Sequence, residues 1–134
     1  VGGAQIEGDG FFFEPTVLRF ADRGNPLCNQ ELFAPVAALY TVDSIEEAIA
    51  FANDTAYGLS GYLFTADLSR AVAIAEQLDT GMVGVNRGIM ADPAAPFGGV
   101  KASGIGREGG QHGIYEFLEP KYIALTIDEK VAGL

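Results

Sequence analysis

The sequence is short of several things, and each shortage excludes something. It has one cysteine, Cys28, so an internal disulfide is impossible; a lone thiol fits a reducing compartment, and a cytoplasmic location is expected. Cations are few: 8 Lys and Arg face 18 Asp and Glu, for a formal net charge of -10, and no basic run occurs. Such a surface repels a phosphate backbone, so no nucleic-acid partner is expected. No apolar run approaches the ~18 residues of a membrane span. No basic stretch followed by an apolar one opens the chain as a secretion signal would. No metal site is expected. The chain also lacks an initiator Met and starts in a Gly-rich turn, "VGGAQIEGDG", which reads as a chain entered partway, a fragment or an excised domain.

What is present suits one domain. Hydrophobic residues make up 49% of 134 residues, enough for a core. "FFFEPTVLRF" (11–20) reads as strand on both sides of Pro15, which would sit at an edge or bulge. "DRGNP" (22–26) is a turn cluster. "PVAALYTV" (35–42) reads as a largely buried strand. A helix then begins, with Ser44 as cap and Glu47 completing a capping box. Its apolar face is Ile45, Ala48, Ile49 and Ala52, and Asn53, Asp54 and Gly58 mark its exit. "LSGYLFT" (59–65) is the next strand. A second helix follows Asp67, with a stripe of Leu68, Ala71, Val72, Ala75 and Leu78 and with Gly81 placed as its stop. "MVGVN" (82–86) is a short strand. Near the end, a short helix over 111–118 precedes a strand "YIALTI" (122–127).

This alternation predicts an α/β fold with parallel strands. Ligands in such folds collect at the carboxyl ends of strands, where Asn86 and the loop "RGIMADPAAPFGG" (87–99) lie. A loop so long is usually functional or disordered.

Three features invite chemistry. Gly104-Ile105-Gly106-Arg107-Glu108-Gly109 is a literal G-x-G-x-x-G. A dinucleotide turn needs a strand before it, a helix after it and an acidic residue about 20 positions on. Asp128 supplies the acid, but "PFGGVKASG" upstream is no strand, and the helix would carry Gly109, Gly110 and Gly113. The plainer reading is a Gly-rich connection that lets backbone pack closely. Cys28 with His112 is the minimum for a thiol hydrolase, although Cys28 reads more simply as a small apolar filler and His112 as a surface or helix-end residue. In "QELFAPV" (30–36), Glu31 and Phe33 share a side if the segment is extended. A carboxylate can accept two hydrogen bonds from a ribose diol, and a ring can flank a flat heterocycle. Chemistry alone favours the start of a strand, with Glu31 solvated and Phe33 in the core.

The motifs "GDGFFFEPTVL", "QELFAPV", "AYGLSGYLFTADLSRA" and "PFGGVKASGIGREGG" resemble, in order and spacing, those of NAD(P)-dependent aldehyde dehydrogenases. The likeness runs from Gly2 to about Ile127 and is greatest to the succinate-semialdehyde members. It implies a three-layer αβα catalytic domain of which residues 1–134 are the C-terminal part, with 120–134 as an oligomerisation tail. It implies NAD or NADP as cofactor, an aldehyde as substrate, and a homo-oligomer joined by sheet extension through the 122–127 strand. Glu31 would bind the nicotinamide ribose and Phe33 hold the nicotinamide ring. Phe97 would line the substrate tunnel, and Glu108 would relay a proton in some members. The entrance-loop serine that anchors the distal carboxylate in succinate-semialdehyde members corresponds to Ala91, with Arg87 nearby. The motif usually has Gly where Ala34 stands. The family's cofactor domain, nucleophilic cysteine, general-base glutamate and oxyanion asparagine all lie upstream of the matched segment. By this likeness the chain alone is inert, Cys28 is not the nucleophile, and the G-x-G-x-x-G is not the pyrophosphate turn. An assembly module without cofactor binding is the alternative.

Overall fold

Hydrogen bonds that close within a few residues build the two helices. In the computed structural model, which describes residues 1–20 and 24–126, Ser44 Oγ accepts from the Glu47 N–H at 3.0 Å and starts α1 (Ile45–Asn53). The Glu47 carboxylate reaches back to the Asp43 N–H at 2.9 Å, one residue before the cap that a strict capping box would serve. Asp67 accepts from the Arg70 N–H at 3.0 Å and starts α2 (Leu68–Ala75).

Between them run the strands: β1 (Thr16–Arg19), β2 (Val36–Leu39), β3 (Tyr57–Gly58), β4 (Ser60–Leu63), β5 (Met82–Val85) and β6 (Val100–Lys101). β1 pairs β2 in parallel, Thr16 opposite Val36. β4 pairs β5 in parallel, Ser60 opposite Met82, with α2 as the crossover. β3 and β6 form a two-residue antiparallel ladder. The α/β class and the parallel pairing therefore stand as the sequence suggests. One continuous layer does not form among the described residues: there are three two-stranded ladders. Two-stranded ladders are marginal alone, and parallel ones are normally covered on both faces.

Several expectations need correction. Strand structure before Pro15 is a single bridge, Gln5 to Phe13, closing a hairpin over Gly8-Asp9-Gly10. Gly81 does not stop α2, which ends at Ala75 with Glu76 as its cap. Gly81 sits where the Gly98 carbonyl passes so close that any side chain would collide with it. The helix over 111–118 is a 3-10 turn, Gly113–Phe117, with exposed His112 at its start. Residues 122–126 are not in a strand: they run exposed, without the partner edge that makes a strand of an extended chain. Ile127 and the rest of the tail to 134 lie outside the described residues, as do Asp22 and Arg23 of the turn cluster.

Packing is sparse. Phe20 stacks on Tyr40 at 5.2 Å between ring centroids, and Phe51 of α1 meets Tyr40 edge-on at 4.6 Å, tying α1 to the end of β2. Asn53 joins the end of α1 to the exit of α2, donating to Gln77 O at 2.7 Å and accepting from Asp79 N at 2.8 Å. Ala71 is the one hydrophobic side chain buried among the described residues, while Leu68 and Val72 of the same stripe stay exposed. The accessible surface is 10880 Å², against roughly 6,700 Å² for a compact monomer of 14.1 kDa. Faces made of Val17, Leu18, Leu39 and Tyr62 stand open, which is the composition of surfaces meant to be covered. No helix among the described residues is long and apolar enough to cross a membrane.

Candidate functional site

The carboxyl end of the β4–β5 ladder opens into the long loop after Asn86. Within it, Asp92 makes a turn, accepting from the Ala94 N–H at 2.9 Å through its side chain and from the Ala95 N–H at 3.0 Å through its carbonyl. The loop returns along Phe97, whose backbone bonds Glu108 in both directions.

Four cavities surround this region. One of about 330 Å³ lies between the loop and the sheet and is lined by Tyr62, Met82, Met90, Ala91 and Phe97 among others. A second, about 390 Å³, takes in Phe97, Arg107, Glu108 and Glu116. The third, about 500 Å³, has Glu31 at its edge with Thr55, Tyr57, Ser60, Thr80 and Ser103, a wall rich in hydroxyls. A fourth, about 370 Å³, brings Ala91, Phe97 and Glu108 together, while Glu31 lines the third. Leu59 lines the first three cavities. Reading "LSGYLFT" as plain strand concealed that residue; the signal was its place at the turn between two short strands.

Two proposed residues stand apart. Phe33 is 93% exposed and clear of these cavities, so it is no core residue. Residues 31–35 form no strand, because η1, a 3-10 turn over Pro26–Asn29, and Pro35 interrupt the ladder on either side. The ring is left free to meet a flat ligand or a missing neighbour. Arg87 spends its Nε on the Ile89 carbonyl at 2.6 Å, which folds it along the loop.

The G-x-G-x-x-G segment holds no phosphate cradle. Before it stands the two-residue β6, antiparallel to β3, and no helix follows until the 3-10 turn at Gly113. Instead it is a bracket. Arg107 Nη1 donates to Gly99 O at 2.6 Å and Gly106 O at 2.9 Å, and the Arg107 N–H donates to Glu116 Oε1 at 3.2 Å. Cys28 is half-buried in η1 and bonds Tyr40, whose phenol is pushed up to about 12 chiefly by that bond. His112 is far from it in sequence and caps nothing through its side chain.

A family pattern spans nearly the whole chain: the aldehyde dehydrogenase family matches residues 1–123. The chain belongs to that family. It is 47% identical over 125 residues to a succinate-semialdehyde dehydrogenase of Paenarthrobacter nicotinovorans, covering 93% of this chain and 28% of that one. It is 44% identical over 126 residues to a glutarate-semialdehyde dehydrogenase of Pseudomonas putida, covering 94% and 26%. The solved succinic semialdehyde dehydrogenase of Streptococcus pyogenes, in complex with NADP+, superposes with a TM-score of 0.85 at 42% identity, over 92% of this chain and 28% of that one. The chain therefore spans about a quarter of the length of the family members it matches.

Proposed function

We propose that these residues are the C-terminal part of the catalytic domain of an NAD(P)-dependent semialdehyde dehydrogenase, oxidising succinate semialdehyde or its near homologue to the acid. What carries the reading is the meeting of Ala91, Phe97 and Glu108 at one cavity, with Glu31 at another, in a chain whose relatives bear those names. In the complete domain the open ladders belong to a three-layer αβα sandwich, and the enzyme works in the cytoplasm.

The residues fit a dinucleotide's nicotinamide half. Glu31 is an exposed carboxylate at a hydroxyl-lined cavity, suited to a ribose diol, and Phe33 presents an open ring two residues on. A bound cofactor would supply the hydride acceptor, with Glu31 orienting its ribose and Phe33 limiting the swing of its ring. Phe97, Ala91 and Tyr62 exclude water from the aldehyde, and Arg87 adds positive charge beside the entrance. Glu108 relays outward the proton that the upstream general base takes from water. The 134 residues alone are inert, because their only thiol is occupied with Tyr40 and the adenosine-binding part lies elsewhere.

The test is a chimera in which this chain replaces the matching quarter of the Streptococcus pyogenes enzyme. It should oxidise succinate semialdehyde, and Glu31→Gln should raise the cofactor KM by about tenfold, the cost of weakening one charged hydrogen bond. A chimera that folds and binds cofactor without oxidising the aldehyde sinks the proposal, as does activity in the isolated chain.

A second reading, an assembly module working through its tail, is favoured by the exposure of Phe117, Tyr122 and Leu125 (85, 91 and 82%). A chain that sediments strictly as a monomer counts against it.

A further inference from the structure

The geometry points to Asn86 as a positioning residue: it sets where the entrance loop leaves the sheet, and so the width of the cavity between Tyr62, Met90, Ala91 and Phe97. The inference rests on reading that cavity as the aldehyde channel. Among the described residues, two that are not glycine have left-handed backbone, Asn86 at φ 53° and Lys101 at φ 55°. Asparagine adopts this conformation more readily than other side chains because its short amide can bond locally, whereas for lysine it is strained and persists only where the surroundings over-determine it. For Lys101 the surroundings are structural: its ammonium holds the end of α1 through Asn53 O at 2.9 Å.

For Asn86 the surroundings are the last rung of the ladder. Its N–H donates to Leu63 O at 2.8 Å. Its side-chain amide donates to Thr65 O at 2.7 Å and accepts from Thr65 N at 2.8 Å. The side chain takes the pair of bonds that a continuing strand would make. The backbone is thereby free to turn, and it carries the loop back over β4 and β5. There Met90 lies over Gly84, so near that a Cβ on Gly84 would stand 3.0 Å from the Met90 sulfur. Thr65 is itself held: its Oγ1 accepts from the Asp67 N–H at 3.2 Å, and Asp67 caps α2. The loop's point of departure is thus referenced to the start of α2 and not to the loop's own residues.

Only asparagine meets every demand at this position. Glycine accepts the dihedral but loses both side-chain bonds. Aspartate keeps an acceptor for the Thr65 N–H and presents a charge to the Thr65 carbonyl. Alanine loses both and keeps the strain.

The experiment uses the chimera. Asn86→Gly should raise the succinate-semialdehyde KM about tenfold, leave the cofactor KM near the parent's with a modest fall in melting temperature, and narrow the preference between four- and five-carbon semialdehydes. Asn86→Asp should fall between the two. Hydrogen exchange, read whether or not the chimera is active, should show Thr65 and residues 87–97 exchanging faster in Asn86→Gly with 82–85 unchanged. If the parent chimera is inactive, the functional reading fails while exchange still decides the role of Asn86. Unchanged exchange at Thr65 and the loop overturns the inference. So does an equal loss of kcat, cofactor affinity and melting temperature, which marks general destabilisation.

Discussion

Phe97 and Glu108 hold each other by two backbone hydrogen bonds: the Phe97 N–H reaches the Glu108 carbonyl at 2.7 Å, and the Glu108 N–H reaches the Phe97 carbonyl at 2.8 Å. A residue expected at the substrate and one expected at the proton route are thereby fixed to one another through ten intervening positions. Arg107 locks this pair by tying Gly99 O to Gly106 O.

Arg107→Ala should destabilise the chimera by about 2 kcal/mol, since it removes charged hydrogen bonds to two part-buried carbonyls. Urea unfolding measures this. Arg107→Lys should recover less than half, because a point charge cannot span both carbonyls as the planar guanidinium does. Full recovery by lysine would contradict the bracket.

Lys101 separates two effects. Its Nζ donates to Asn53 O at 2.9 Å and lies 3.6 Å from Asp79 Oδ2, while its backbone is left-handed. Lys101→Met should cost about 1 kcal/mol, the size of one such hydrogen bond, with little from an exposed ion pair. Lys101→Gly loses the same contacts but relieves roughly 1 kcal/mol of backbone strain, and so should sit close to the parent in melting temperature.

Gly81 and Gly88 should respond oppositely to alanine. A Cβ at Gly81 runs into the Gly98 carbonyl, whereas nothing lies within 4 Å of one at Gly88. Gly81→Ala should lose soluble folded protein or several degrees of melting temperature, because backbone must move. Gly88→Ala should be within about 0.5 kcal/mol of the parent.

Tyr40 makes an alkaline prediction. Its phenol is raised from 10.0 to about 12, first by the bond to Cys28, then by desolvation and by electrostatic repulsion from Cys28. The folded state holds this proton more tightly than the unfolded chain. The linked stability is therefore complete below pH 10 and is lost as pH rises toward 12. Absorbance at 295 nm should show one tyrosine titrating late, and Cys28→Ala should return it toward the ordinary range. A late tyrosine that persists in Cys28→Ala would point to burial as the cause.

Local signals were legible because their physics is local. Ser44 and Asp67 each bond an N–H three residues on, so residue type and spacing suffice to place both helix starts. The strand–helix–strand order around α2 likewise yields its parallel ladder. The β3–β6 ladder was not legible: Gly58 pairs with Val100 across the chain, and a two-residue strand has no periodicity to read. Phe33 misled because an aromatic beside apolar residues looks like core in any sequence, and only the open edge beyond β2 shows that nothing covers it. The 122–127 segment has strand composition, yet composition cannot supply the neighbouring edge.

The amino-acid sequence by itself determined the helix caps, the parallel α/β class, the acidic surface and the family, since each depends on residue type at short or fixed spacing. The tertiary structure alone decided that Leu59 stands among three cavities, that Gly81 makes room for Gly98, and that the G-x-G-x-x-G binds its own chain through Arg107 and Glu116. Those outcomes depend on which distant backbones approach within a few ångströms, and no local pattern encodes that approach.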